Sequence, residues 1–176
     1  MPAGVGRRWG WHRLDADWAR SLVVQASVRP GECVLDFGAG DGRVSAALAD
    51  AGARVIAVEL HPGRATALRQ RFADTAVRVV EMDALRFSLP GRPFRVVANP
   101  PFAITVVLLR RLTASQSWMY RADLVLTRPV AVRMASRPPA GYLGATGLRI
   151  PQRAFEPPPP KDAAVLVLRR RPGRRR

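Results

Sequence analysis

Cys33-Val34-Leu35-Asp36-Phe37-Gly38-Ala39-Gly40-Asp41-Gly42 is the stretch whose reading decides the fold. Its first five residues, mostly apolar, read as a buried strand. Three glycines at alternate positions then end that strand. So tight a turn uses φ > 0, and a ligand can approach the backbone only where no Cβ stands in the way. A helical pattern follows, with Val44, Ala47, Leu48 and Ala51 on one face and Gly52 closing it. Strand, glycine turn and helix make the opening of an α/β unit.

The alternation continues on both sides. A helix is predicted from Asp15, with Trp18, Leu22, Val23 and Ala26 at helical spacing and Arg29-Pro30-Gly31 as its stop. Residues 54–58 form a second strand ending on Glu59, and Pro62 begins a helix carrying Ala65, Leu68 and Phe72. Residues 77–82 form a third strand, closed by Asp83, and residues 94–98 a fourth. Ile104, Val107, Leu108 and Leu112 mark the next helix, residues 123–126 a fifth strand, and residues 128–136 a weaker helix. Residues 137–141 read as loop, the prolines 157–160 as a rigid turn, and residues 164–168 as a last strand. Near-continuous apolar strands alternating with helices predict an α/β fold, a doubly wound, mostly parallel sheet of the Rossmann-like kind. Three parts are expected: a basic aromatic arm (1–14), one domain (15–168) and an Arg-rich tail (169–176).

Strand ends are where such sheets bind ligands. Gly38-x-Gly40-x-Gly42 departs from the dinucleotide pattern G-x-G-x-x-G, since its third glycine comes one residue early and Arg43 follows it. Glu59 stands 59 − 38 = 21 residues after Gly38, the spacing at which a carboxylate takes ribose hydroxyls. Asp83, at the next strand end, can accept from an exocyclic amine. Each acid alone reads equally well as a solvated strand-end carboxylate. Together they describe a ligand with a ribose and an adenine but no demanding phosphates: S-adenosylmethionine.

Asn99-Pro100-Pro101-Phe102 ends the fourth strand, because two prolines forbid its continuation. An amide, a bare carbonyl from Pro100 and the flat face of Phe102 suit a planar, amine-bearing ring such as adenine. Taken alone, the tetrad is more commonly a strand-ending turn before a buried Phe.

The charge balance points to the partner. Lys+Arg 29 against Asp+Glu 13 leaves +16, and only Lys161 is lysine. A GC-rich genome accounts for arginine over lysine but not for the net excess. Such a chain attracts polyanions, with strongly salt-dependent binding. Candidate RNA contacts are Trp11, His12 and Arg13 in the arm, Arg133 and Arg137, and Arg169, Arg170, Arg171, Arg174, Arg175 and Arg176 in the tail. The arm aromatics, Trp9 included, either stack on bases or tuck against the domain; the tail either binds RNA or is a solubilising end. A single Cys33 precludes an internal disulfide, and two histidines leave little for a metal cluster. No apolar run approaches the roughly 20 residues of a membrane span, and no signal-peptide core follows the N-terminus. A cytoplasmic, monomeric protein without membrane or metal partner is expected.

The motifs together resemble the erythromycin-resistance (Erm) family of 23S rRNA adenine N6-methyltransferases, cousins of the KsgA 16S dimethyltransferases. The resemblance rests on residues 36–42, Val58-Glu59-Leu60, Asp83-Ala84, Asn99-Pro100-Pro101-Phe102 and Phe155-Glu156-Pro157-Pro158-Pro159-Pro160 ahead of the last strand. It implies that Gly38, Ala39 and Gly40 cradle the methionine part of S-adenosylmethionine. Glu59 with Leu60 holds the ribose, Asp83 with Ala84 reads the adenine, and Asn99 lies between cofactor and target. Asn99, Pro100 and Phe102 would serve catalysis, and 23S rRNA would be the substrate, with macrolide-type resistance as the result. A 16S rRNA or DNA adenine methyltransferase is the alternative, or a non-catalytic rRNA-binding factor of the same fold. Three departures stand out: Gly10-Trp11-His12-Arg13-Leu14 replaces a Q-N-F-L-like stretch, Pro100 replaces Leu or Ile, and a helical C-terminal domain is expected to be missing after the last strand.

Overall fold

Seven strands run side by side in the order β4-β3-β2-β5-β6-β9-β7. The computed structural model describes residues 11–172. In chain order the elements are β1 (Arg13–Leu14), α1 (Ala16–Ala26), β2 (Cys33–Phe37), α2 (Arg43–Asp50), β3 (Arg54–Glu59), α3 (Pro62–Arg71), β4 (Val77–Glu81) and β5 (Phe94–Ala98). A 3-10 turn (Phe102–Ile104) leads into α4 (Thr105–Leu112), followed by β6 (Met119–Thr127), α5 (Arg128–Ser136), β7 (Tyr142–Ile150), β8 (Phe155–Glu156) and β9 (Ala163–Arg170). The first five strands of the large sheet are parallel; β9 runs antiparallel to both its neighbours, β6 and β7, so β7 points the same way as the first five. The carboxyl ends of the parallel strands form the head of the sheet and their amino ends the foot.

Local chemistry sets the boundaries. The Asp15 side chain accepts from Asp17 N–H at 2.8 Å and caps α1. That helix ends at Ser27 in the left-handed region, just ahead of the Arg29-Pro30-Gly31 stop. Each face of the sheet buries its own core: Leu22, Leu48 and Leu68 of α1–α3 on one side, Leu108, Leu112 and Ala131 of α4 and α5 on the other.

Three features differ from the sequence reading. β7 occupies a stretch that carried no strand signal, because only its end residues Tyr142 and Ile150 are buried and Gly144 and Gly147 dilute its middle. Pairing with β9 makes it a strand. Its ladder breaks between Thr146 and Arg149, and Gln25 of α1 receives the freed Leu148 N–H at 2.5 Å. β6 begins four residues before the predicted strand, at Met119. Finally, residues 13–14 are not a free arm: Arg13 pairs with Glu156 and Leu14 with Phe155. Trp9, Arg174, Arg175 and Arg176 lie outside the described residues. Among the described residues no helix is long and apolar enough to cross a membrane.

Candidate active site

The glycine loop is laced to β3. Gly38 and Ala39 donate to the Val58 carbonyl at 2.8 and 3.2 Å, and Gly40 N–H donates to Glu59 Oε2 at 2.8 Å. These amides are therefore engaged within the protein. What the loop offers a ligand is a backbone surface free of Cβ atoms. Gly38 and Gly40 have φ of 73° and 60°, and a Cβ at Gly38 would stand 2.6 Å from Pro101 Cδ. The glycine loop and the tetrad are thus in contact, although some 60 residues separate them in the chain.

Acids stand at successive strand ends. Glu59 is 3% exposed; its Oε1 accepts from His61 N–H at 2.8 Å and from the Arg64 guanidinium at 3.1 and 3.2 Å. Leu60 beside it is half-exposed. Asp83 Oδ1 accepts from Leu85 N–H at 2.8 Å, and Ala84 is buried with its carbonyl held by Arg111 at 2.8 Å. Asp36, at the end of β2, is the acid the sequence reading did not assign. Its Oδ2 accepts from Ser45 Oγ at 2.7 Å, while Oδ1 is buried without a partner. Burial pushes the Asp36 carboxyl up to about 7; the Ser45 hydrogen bond opposes the rise and the Glu59 charge adds to it.

The tetrad shows the most telling geometry. Asn99 Nδ2 donates to the His12 carbonyl at 2.8 Å, which fixes the amide plane. Asn99 Oδ1 is left buried without a partner, and no described residue donates to the Pro100 carbonyl. Among the described residues, these two acceptors, on consecutive residues, therefore have no donor. Next to them, Phe102 stacks on the His12 ring (centroids 5.4 Å apart, 27° between planes) and meets Phe155 edge-on at 6.4 Å. His12 Nδ1 lies 2.8 Å from the Pro157 carbonyl.

The N-terminal segment closes this cleft. The Trp11 indole packs on Gly40, where a Cβ would collide with it, and the Arg64 guanidinium sits 4.8 Å over the ring. Between Trp11, the glycine loop and Asn99 only about 20 Å³ remains open. The donor set fits a cationic adenosyl ligand: unpaired Asp36 Oδ1 for an ammonium, Glu59 for hydroxyls and Asp83 for an amine.

The structure brings together Gly38, Ala39, Gly40, Glu59, Asn99, Pro100 and Phe102, and it adds Trp11 and His12 to them. It does not bring the described part of the tail, residues 169–172, there. β9 runs from head to foot, so Arg169, Arg170 and Arg171 emerge at the end opposite Asn99. Arg170 also departs from the expected role of free RNA contact, since its guanidinium donates to the carbonyls of Ser117 and Met119 and to the Tyr142 hydroxyl. Arg171 is tied to Gly141 and Tyr142 carbonyls. Arg13 pairs with Glu156 and, at 4.0 Å, with Asp41. Arg133, Arg137 and Arg169 are exposed. Sequence reasoning missed Asp36, Arg64 and the Phe155 edge; a carboxylate in an otherwise apolar strand, one residue short of its end, was the available signal for the first.

Residues 14–175 match the family described as ribosomal RNA adenine dimethylase. The chain is 39% identical over 152 residues to the mycinamicin-resistance protein MyrB of Micromonospora griseorubida, covering 78% of this chain and 47% of that protein. It is 33% identical over 183 residues to ribosomal RNA small subunit methyltransferase A of Thermosynechococcus vestitus, covering 93% of this chain and 69% of the relative. The crystal structure of the 23S rRNA methyltransferase ErmE superposes with a TM-score of 0.81 at 26% identity, over 90% of this chain and 70% of that one. With the match running from β1 through β9, the chain belongs to the ribosomal RNA adenine dimethylase family.

Proposed function

We propose that this protein transfers a methyl group from S-adenosylmethionine to the N6 amine of an adenine in the peptidyl-transferase region of 23S rRNA, in the cytoplasm, and so confers macrolide-type resistance. One observation carries the reading: among the described residues Asn99 Oδ1 and the carbonyl of the next residue, Pro100, are acceptors without donors, and the His12 carbonyl sets the orientation of the first. An adenine N6 amine has two N–H groups and a lone pair delocalised into its ring. Accepting one N–H at each oxygen draws the nitrogen toward a tetrahedral geometry and frees the lone pair. Positioning supplies most of the rate, since no strong base is required.

The bound cofactor supplies an electrophilic methyl group on a sulfonium. Gly38 and Gly40 would lie against its methionyl part and Asp36 would face the ammonium, with Glu59 and Leu60 at the ribose and Asp83 and Ala84 at the adenine. The target base must leave its stack. Phe102 then offers its face in place of the His12 ring.

The test is incubation of the full chain with labelled S-adenosylmethionine and naked 23S rRNA, 16S rRNA or DNA, followed by primer extension. Label and a reverse-transcriptase stop in 23S rRNA are expected. Label confined to 16S rRNA would replace the substrate; that second reading draws on the small-subunit methyltransferase relative, which aligns over 93% of this chain against 78% for MyrB. RNA binding without any label would leave a non-catalytic rRNA-binding factor.

A further inference from the structure

Trp118 is 55% exposed, and its carbonyl accepts from Phe94 N–H at the foot of β5. Asn99 follows the head end of the same strand, so the five residues of β5, at about 3.3 Å each, separate the Trp118 backbone from the site by roughly 16 Å. Beside Trp118 runs an open groove of about 570 Å³, lined by Leu89, Pro90, Val107, Arg110 and Gln116 among others. Neither the catalytic reading nor the core uses it.

Charge decides what the groove fits. Residues 84–122 contain six arginines (Arg86, Arg92, Arg95, Arg110, Arg111 and Arg121) and no acid. Of these, Arg95 and Arg121 are spent on Asp123 and Arg111 on two carbonyls, while Arg86, Arg92 and Arg110 are exposed. The nearby acid Glu32 is paired to Arg95 at 3.0 Å. β9 also ends at the foot, with Arg170 bonded to Ser117, the residue before Trp118, while Arg169 lies on the other face of the sheet beside Gln25. An exposed aromatic face among unneutralised arginines is how unpaired nucleic acid is held: bases stack on the ring and phosphates meet the guanidinium groups. A protein partner would instead meet an excess of one sign of charge.

We infer that the groove beside Trp118 is a second RNA-docking site, which takes an unpaired stretch of the same RNA that presents its adenine at Asn99. The inference rests on the rRNA reading above. It assigns the affinity to the foot and the chemistry to the head, where the carboxylates gather.

The test measures binding of a short, unstructured, fluorescein-labelled RNA to the full chain by anisotropy, and tryptophan emission in parallel. Trp118→Ala and Arg110→Glu should each weaken binding about tenfold, with Trp118→Phe in between. Emission that wild type shows and Trp118→Phe lacks should be quenched by the RNA. Unchanged affinity in both Trp118→Ala and Arg110→Glu, or unquenched Trp118, overturns the inference and leaves the groove to a protein. Because the readout is binding, the two readings fail separately. A chain that methylates 23S rRNA and ignores Trp118→Ala loses only the groove, and one that binds RNA through Trp118 and methylates nothing loses only the activity.

Discussion

At the scale of single residues, the proposed function divides the site between groups that would hold a cofactor and groups that would meet the target base. Phe102 belongs to the second set. Phe102→Ala should lower kcat/KM for rRNA by roughly ten- to a hundredfold, the worth of one stacked base, while calorimetry shows cofactor affinity preserved. Glu59 belongs to the first, and Glu59→Ala should abolish cofactor binding in the same calorimetry; unchanged affinity would remove Glu59 from the ribose. It also tethers Gly40 and Arg64, so the loss should be larger than one hydroxyl contact. Asp36 has a pH signature. Its carboxyl ionises near 3.8 when unfolded and near 7 when folded, so the folded state holds the extra proton between those values. Stability conferred by the neutral acid is therefore lost as pH rises through that window and stays lost above it. Asp36→Asn, neutral throughout, should raise Tm more at pH 8 than at pH 4; an equal shift at both would rule out burial of the charge as the cause. Asn99, Glu59 and Asp83 were legible because strand ends announce themselves by a polar residue after an apolar run. Asp36 was not, because a lone acid inside a strand carries no sign of whether it is paired.

At the scale of elements, the antiparallel margin of the sheet is where tertiary contacts overrule local pattern. β7 has too little apolar periodicity to read as a strand; β9 supplies its ladder and Gln25 its bulge. Arg170 locks this margin to the foot of β6 through Ser117, Met119 and Tyr142. Arg170→Ala should cost about 2 kcal/mol in urea unfolding, the range for hydrogen bonds to a charged group, whereas the exposed Arg169→Ala should cost almost nothing. Equal effects would return Arg170 to the role of a free cation. In sequence the two arginines are neighbours in one basic run, and nothing local distinguishes them. The same holds for Arg95, which sits in an apolar strand and is fully buried against Asp123.

At the scale of the whole molecule, β9 ends at the foot of the sheet while the tetrad stands at its head. Removing residues 173–176 takes away Arg174, Arg175 and Arg176. If they meet phosphates, the slope of log affinity against log salt for single-stranded RNA should flatten by about 2 units, at roughly 0.7 per phosphate; an unchanged slope makes the end a solubilising one. The sequence by itself determined the parallel α/β core, the glycine loop, the strand-end acids and the tetrad. These are local patterns: burial of both sheet faces forces continuous apolar strands, and a turn with φ > 0 forces glycine. Only the tertiary structure decided that Trp11 and His12 close the cleft, that His12 fixes the Asn99 amide, and that the basic run of β9 leaves from the far end of the sheet. Those are contacts between residues 29 or more apart in sequence, or consequences of strand direction, and a strand's direction is set by the neighbour it pairs with rather than by its own residues.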